Sequence, residues 1–326
     1  MRRKFGWPLL GLLLISLVFP ASAAKQYFAI ATGGIGGTYY PLGGALAAAL
    51  SERVPGLIAT AQTGNASVAN CNLIARRAIE SAFVQNNVAT WAYTATGLFQ
   101  GRRPVRNLRA IASLYPEAIQ VVATRASGIR EIADLRGKRV VVGAPGSGTE
   151  VDARKVLRAH GLRYADMKVD YLGFAEAVQR LKDRQTDAAF VSAGFPTASI
   201  LELSAQAGVV ILPITGPARD ALLRSAPYYV PAVIPAGTYR GMERDVETVT
   251  TVAQWVVDAN IPAEVVYRMT RALWEPTGGK PPVAAVLAKA HAKGREVTLK
   301  TALDGNGIPL HPGAERYYRE KGVIGR

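Results

Sequence analysis

The sequence predicts an α/β protein built in two parts, and three observations carry that prediction. Apolar strand-like runs alternate with segments of helical spacing, the order that produces βαβ units and parallel sheets. Three glycine-rich loops fall where such a strand meets such a helix. The length of 326 residues suits about two domains at roughly 150 residues each. An apolar share of 49% excludes a disordered or collagen-like chain.

The chain opens with Arg2, Arg3 and Lys4, an apolar run from Leu9 to Phe19, then Pro20 and Ala21-Ser22-Ala23. This basic, apolar, small-residue order is that of a cleaved secretory signal. The run falls well short of the roughly 20 residues a spanning helix needs. Residues 1–23 are therefore expected to be removed on export, with an uncleaved anchor as the alternative. Loss of those three basic residues lowers the formal net charge from +15 to +12. The remaining basic residues, such as Arg102-Arg103 and Arg136 to Arg139, are scattered rather than interleaved with aromatics, so no nucleic-acid partner is expected. The single cysteine can form neither an intrachain disulfide nor a zinc ribbon.

Along the exported chain, Tyr27 to Ala31 reads as a strand. Leu42, Ala45, Leu46, Ala49 and Leu50 then mark one face of a helix, with Pro41 in its first turn. Val68, Cys71, Ala75, Ala78 and Ile79 mark a second helical face, which buries Cys71 as an inert thiol. Ser81 to Gln85 is a strand ending at Asn86-Asn87. Leu108 to Leu114 and Ala118 to Thr124 read as two strands parted by Tyr115-Pro116-Glu117. A strand over Arg139 to Val142 follows, then a helix after Thr149 with Ala153, Val156, Leu157 and His160 facing inward. Phe174, Ala177, Val178 and Leu181 give another helical face before the strand Ala188 to Val191.

The glycine-rich loops carry the chemistry. Thr32 to Tyr40 has the start of a dinucleotide fingerprint, but Tyr39 stands where its last glycine belongs. Gly143 to Gly148 has the glycine spacing of a phosphate loop, yet Thr149 replaces the lysine such a loop requires. Both keep backbone N–H groups at a helix N-terminus, where partial positive charge favours an anion. The third loop, Thr63 to Ser67, also precedes a helix, and Asn65 or Ser67 there is either a plain N-cap or a cap that faces ligand. His160, His291 and His311 lie far apart, and neither G-x-S-x-G nor H-E-x-x-H is present, so no enzyme, metal site or cofactor is expected.

Thr32-Gly33-Gly34-x-Gly36-Gly37-Thr38-Tyr39-Tyr40-Pro41-Leu42-Gly43 resembles the opening of TAXI-type (TRAP-associated extracytoplasmic immunogenic) solute receptors of TRAP transporters. Thr63-Gly64-x-x-Ser67-Val68-x-Asn70, Leu114 to Glu117, Gly146 to Thr149, Asp187 to Gly194, Ile234 to Tyr239 and His311 to Ala314 extend the resemblance over nearly the whole exported chain. It implies a periplasmic binding protein of the two-lobed, type II-like kind with two inter-lobe crossings. Residues 24–112 plus 230–326 would form lobe I, and 113–229 lobe II. It further implies capture of a small acidic solute, glutamate or a related dicarboxylate, for delivery to TRAP membrane subunits. Two alternatives stay open: a same-fold receptor of an ABC importer for a sulfonate- or thiamine-like ligand, and an exported enzyme. The expected ligand contacts from lobe I are Gly36, Gly37, Thr38, Tyr39 and Ser67. Lobe II would add Ser147, Gly148 and Thr149 against an anionic group. Gln85 either orients a polar group of the ligand or is a buried structural amide. Tyr115 either meets the ligand or packs the hinge. Glu117 either accepts from an amino group or is solvated, and Phe195 is either pocket wall or core.

Overall fold

The computed structural model describes residues 25–325; the expected signal segment, 1–23, lies outside them. Strands β1 (Gln26–Ala31), β2 (Leu57–Gln62) and β3 (Ser81–Gln85) run parallel in the order β2-β1-β3. They are covered by helices α1 (Tyr39–Arg53), α2 (Ser67–Ala75) and α3 (Asn86–Thr94), and by α8 (Ala263–Trp274), α9 (Val283–Ala290) and α10 (Pro312–Glu320). The second lobe holds β5 (Arg139–Val141), β6 (Lys168–Asp170), β7 (Ala188–Ala193), β8 (Val209–Leu212) and β9 (Val230–Ile234). Its helices are α4 (Gly148–Ala159), α5 (Phe174–Lys182), α6 (Ala198–Gln206) and α7 (Gly216–Ser225).

Two long strands, β4 (Leu108–Thr124) and β10 (Val246–Asp258), pair antiparallel and pass through both lobes, making the ten strands one mixed sheet. Near one end β10 pairs with β3, and near the other with β9. The far half of β4 pairs with β7 and β8. The architecture is thus the expected two-lobed α/β binding-protein fold, with both crossings made inside the sheet. Both faces of each lobe are apolar cores. Trp255 is wholly buried in the first, its Nε1–H donating to Ser81 Oγ at 3.2 Å.

Several local expectations need correction. The two strands expected on either side of Pro116 are one, β4. Proline removes a ladder donor, but the register shifts between Ala253 and Gln254 next to it, so the gap falls at an irregularity and the strand continues. The second helix stops at Ala75, leaving Ala75 and Ala78 exposed, because Arg77 turns left-handed at φ 55°. Its buried stripe is Val68, Cys71 and Ile74. His160 is the half-buried C-cap of α4 rather than a core residue, with Nδ1 2.8 Å from Val156 O. Ile234, Tyr239, Met242 and Val249 join the second lobe's core. Tyr239 OH donates to Gln120 Oε1 and accepts from Thr197 N at 3.0 Å. On this packing we place the return crossing within β10, near Thr250–Ala253, rather than near Val230.

Candidate functional site

The N-terminal ends of α1, α2, α4 and α5 meet at one cleft of about 420 Å³ between the lobes. Each end follows a strand and a loop that the sequence makes tight. At Gly143, with φ 100°, a Cβ would lie 2.8 Å from that of Thr149. Only glycine lets that loop fold back on the first turn of α4. Gly36, Gly37, Thr38, Tyr39, Ser67, Gln85, Ser147, Gly148 and Thr149 all line the cleft as expected. Tyr115 does not. It is 1% exposed, within the first lobe's core, so the hinge-packing alternative describes its position. Phe195 also lies outside the lining, its ring centroid 3.7 Å from the Lys293 ammonium.

The hydroxyls divide by what their protons do. Ser67 Oγ accepts from Gln85 N at 3.0 Å, Ser147 Oγ from Glu150 N at 3.2 Å, and Thr149 Oγ1 from Ser192 N at 3.3 Å. Each therefore keeps an O–H free to donate. Thr38 spends its proton on Gly194 O of the other lobe, at 2.7 Å, and so pins the lobes. The end of α2 is likewise occupied, because Gly146 O accepts from both Val68 N and Ala69 N at 3.1 Å. Gly148 N and Thr149 N of α4 have no partner among the described residues, as the first turn of a helix dictates.

More bonds close the cleft from both sides. Ser199 N donates to Gly36 O at 3.2 Å, Gln85 Nε2 to Asp152 Oδ2 at 2.9 Å, and His291 Nε2 lies 2.9 Å from Pro196 O. Tyr229 OH donates to the other Asp152 oxygen at 2.6 Å. The lobes are therefore in a closed arrangement.

Two contributors were not foreseen, and a third had been left open. The stretch Tyr171 to Glu176, with Ala144 and Pro145, forms a largely apolar wall opposite Ile35. The only hint was the lone Gly173 before a helical pattern. Ser192 lines the cleft with an unpartnered Oγ. Glu117, for which a solvated carboxylate was one reading, is instead 2% exposed and lines the cleft, accepting from Tyr39 OH at 2.8 Å. Burial pushes its carboxyl up to about 8, and burial pushes that of Asp152 up to about 6. Glu117 and Glu176 are the charged residues of the lining, which contains no lysine, arginine or histidine. Among the described residues no cluster of three or more His, Cys, Asp or Glu could hold a metal ion.

The model of the NMT1-like family matches residues 30–322. Among solved structures, PhnD1 of Prochlorococcus marinus in complex with methylphosphonate is similar, with 9% identity and a TM-score of 0.54 over 91% of this chain and 99% of that one. The alkanesulfonate-binding protein SsuA of Xanthomonas axonopodis pv. citri, bound to MOPS, is 18% identical, with a TM-score of 0.50 over 90% and 84%. At such identities the likeness is one of fold. These findings overturn the TAXI assignment, and with it the TRAP membrane subunits as partner and glutamate as ligand. The motif from Thr32 to Gly43 that suggested them describes a loop feeding a helix N-terminus, a geometry that serves anions without distinguishing transporter classes. Matched along nearly all of its described length, the chain belongs to the NMT1-like family and folds as a two-lobed periplasmic binding protein.

Proposed function

We propose that this protein is the periplasmic receptor of an ABC importer, closing around a small organic anion of the sulfonate or phosphonate class and passing it to the importer's membrane subunits. The observation that carries this reading is the meeting of several helix N-termini at one inter-lobe cleft. There the free N–H groups of α4 and the protons of Ser67, Ser147 and Thr149 are available to an anionic head. Ile35, Pro145, Leu172 and Phe174 offer apolar surface to the rest of the molecule. Methylphosphonate and MOPS, bound by the two fold relatives, are of this class. Export rests on the N-terminal segment 1–23, and no helix of the described residues is long and apolar enough to cross a membrane. The role is capture and release, with bending across β4 and β10 opening the lobes. Calorimetry of residues 24–326 against methylphosphonate, ethanesulfonate and MOPS tests it. Saturable micromolar binding of at least one is expected. No affinity tighter than millimolar, or chemical turnover of a bound probe, would overturn it.

A further inference from the structure

The geometry points to a second subsite in the same cleft: Glu117 and the Gln85 carbonyl form a receptor for an amino group, so that the ligand is a zwitterion rather than a simple anion. This rests on the anion-receptor reading above and narrows its ligand class.

This corner of the cleft holds acceptors without donors. Glu117 lies mid-way along β4, where the lobes join, and the bond from Tyr39 OH to its Oε2 is the side chain's one hydrogen bond among the described residues. Gln85 is also 2% exposed. Its Nε2 is committed to Asp152, which leaves Oε1 buried with no partner. Both side chains line the cleft. They also rise from one level of the sheet, since Ala253 of β10 pairs with Gln85 on one side and with Tyr115, two residues from Glu117, on the other. A buried acceptor left unpaired costs about 1–3 kcal/mol, and a charged one more. The protein supplies no basic side chain to the lining that would satisfy either group.

The helix N-termini offer donors and so suit the anionic head; the Glu117–Gln85 corner offers acceptors and so suits the opposite. An alkyl sulfonate would leave Gln85 Oε1 and the second Glu117 oxygen without a donor. A hydroxyl would supply one proton and no charge. An ammonium supplies three N–H donors and a charge that compensates the carboxylate. Because burial raises the Glu117 carboxyl to about 8, it is mostly protonated at neutral pH. Docking of an ammonium would ionise it and release a proton.

The test compares matched probes on the wild-type protein by calorimetry at pH 7: 2-aminoethanesulfonate against ethanesulfonate and 2-hydroxyethanesulfonate, and 2-aminoethylphosphonate against ethylphosphonate. The amino probes should bind at least tenfold tighter than their partners. Repeating the titration in buffers of different ionisation heat should show net proton release on binding 2-aminoethanesulfonate and none on binding ethanesulfonate. Glu117→Gln should erase both the preference and the release. Equal affinity for amino and alkyl probes, or a preference that survives Glu117→Gln, overturns the subsite and leaves the anion-receptor reading standing. Binding of none of the five overturns that reading and this inference with it. The probe series and proton count on the wild-type protein decide the matter even if Glu117→Gln does not fold.

Discussion

Gly148→Ala gives the sharpest check on how closure is built. A Cβ at this first residue of α4 would lie 2.1 Å from Gln85 Oε1 and 2.4 Å from its Cδ. The backbone itself can accept alanine, because Gly148 has no positive φ. All the strain therefore falls on the Gln85 amide, which must retreat by roughly 1 Å to reach the shortest tolerable contact near 3.0 Å. It has little room, being 2% exposed and bonded to Asp152 across the lobes at 2.9 Å. A hydrogen bond to a charged group is worth about 1.5–3 kcal/mol, and each 1.4 kcal/mol is about tenfold in affinity. Gly148→Ala should thus weaken binding of an anionic probe by about 10- to 150-fold, read by calorimetry. Small-angle scattering at saturating ligand should show a larger radius than the wild type. Gln85→Ala removes every close atom, so adding Gly148→Ala to it should cost almost nothing further. Wild-type affinity in the single variant, or additive losses in the pair, would refute the proposed link between α4 and Gln85.

Three further expectations concern pH, stability and reactivity. Glu117 is raised from 4.5 to about 8 and Asp152 from 3.8 to about 6. The folded state therefore holds protons the unfolded chain has lost, and the stability they contribute is whole below about pH 4 and lost as pH rises through 6 and then 8. Thermal midpoints should fall between pH 5 and 9, with a slope of up to about 1.4 kcal/mol per pH unit for each proton. Glu117→Gln should flatten the upper part of that decline, and a rising midpoint in the wild type would contradict the assignment. In Gly313→Ala the new Cβ would lie 2.1 Å from Ala263 O and 2.6 Å from Tyr267 N, both backbone atoms of α8 that cannot swing away. Denaturant titration should show a loss of about 1–3 kcal/mol or more. Cys71, wholly buried with its thiol pushed up to about 12, should stay unlabelled by a thiol-specific reagent until denaturant unfolds the chain.

The sequence made the loop-and-helix logic of the site readable because that logic is local. Ser147 and Thr149 reveal themselves by standing beside glycines at the start of a helical pattern, and no tertiary knowledge is needed to see it. Cys71 was legible for the same reason, by its place on an apolar face. What the sequence hid was everything decided by partners far along the chain. Glu117, standing after a proline, could be read either as a solvated charge or as a partner for a ligand amino group. In the fold it lies within one continuous strand whose two faces are both covered, so the apolar runs on either side of it, Leu108 to Leu114 and Ala118 to Thr124, were the overlooked sign of burial. Thr38 looked like a ligand donor, yet its proton belongs to Gly194, 156 residues on. Of the wall from Tyr171 to Ala175 only Phe174 was noticed, as part of an ordinary helix face, because nothing local says that α5 points its first turn into a cleft. Tyr115 and Pro116 suggested a break between strands, where the β10 register adjusts and absorbs the proline.

The passage of β4 and β10 side by side through both lobes has a consequence for anyone who would cut or graft this protein. Each lobe borrows a segment of the same two strands. Severing the chain at the waist would therefore leave each part with a bare sheet edge where it once had neighbours. The lobes share the strands that would have to be cut and so are not separable modules, which makes the loops facing the cleft the place to build a chimera that changes the ligand.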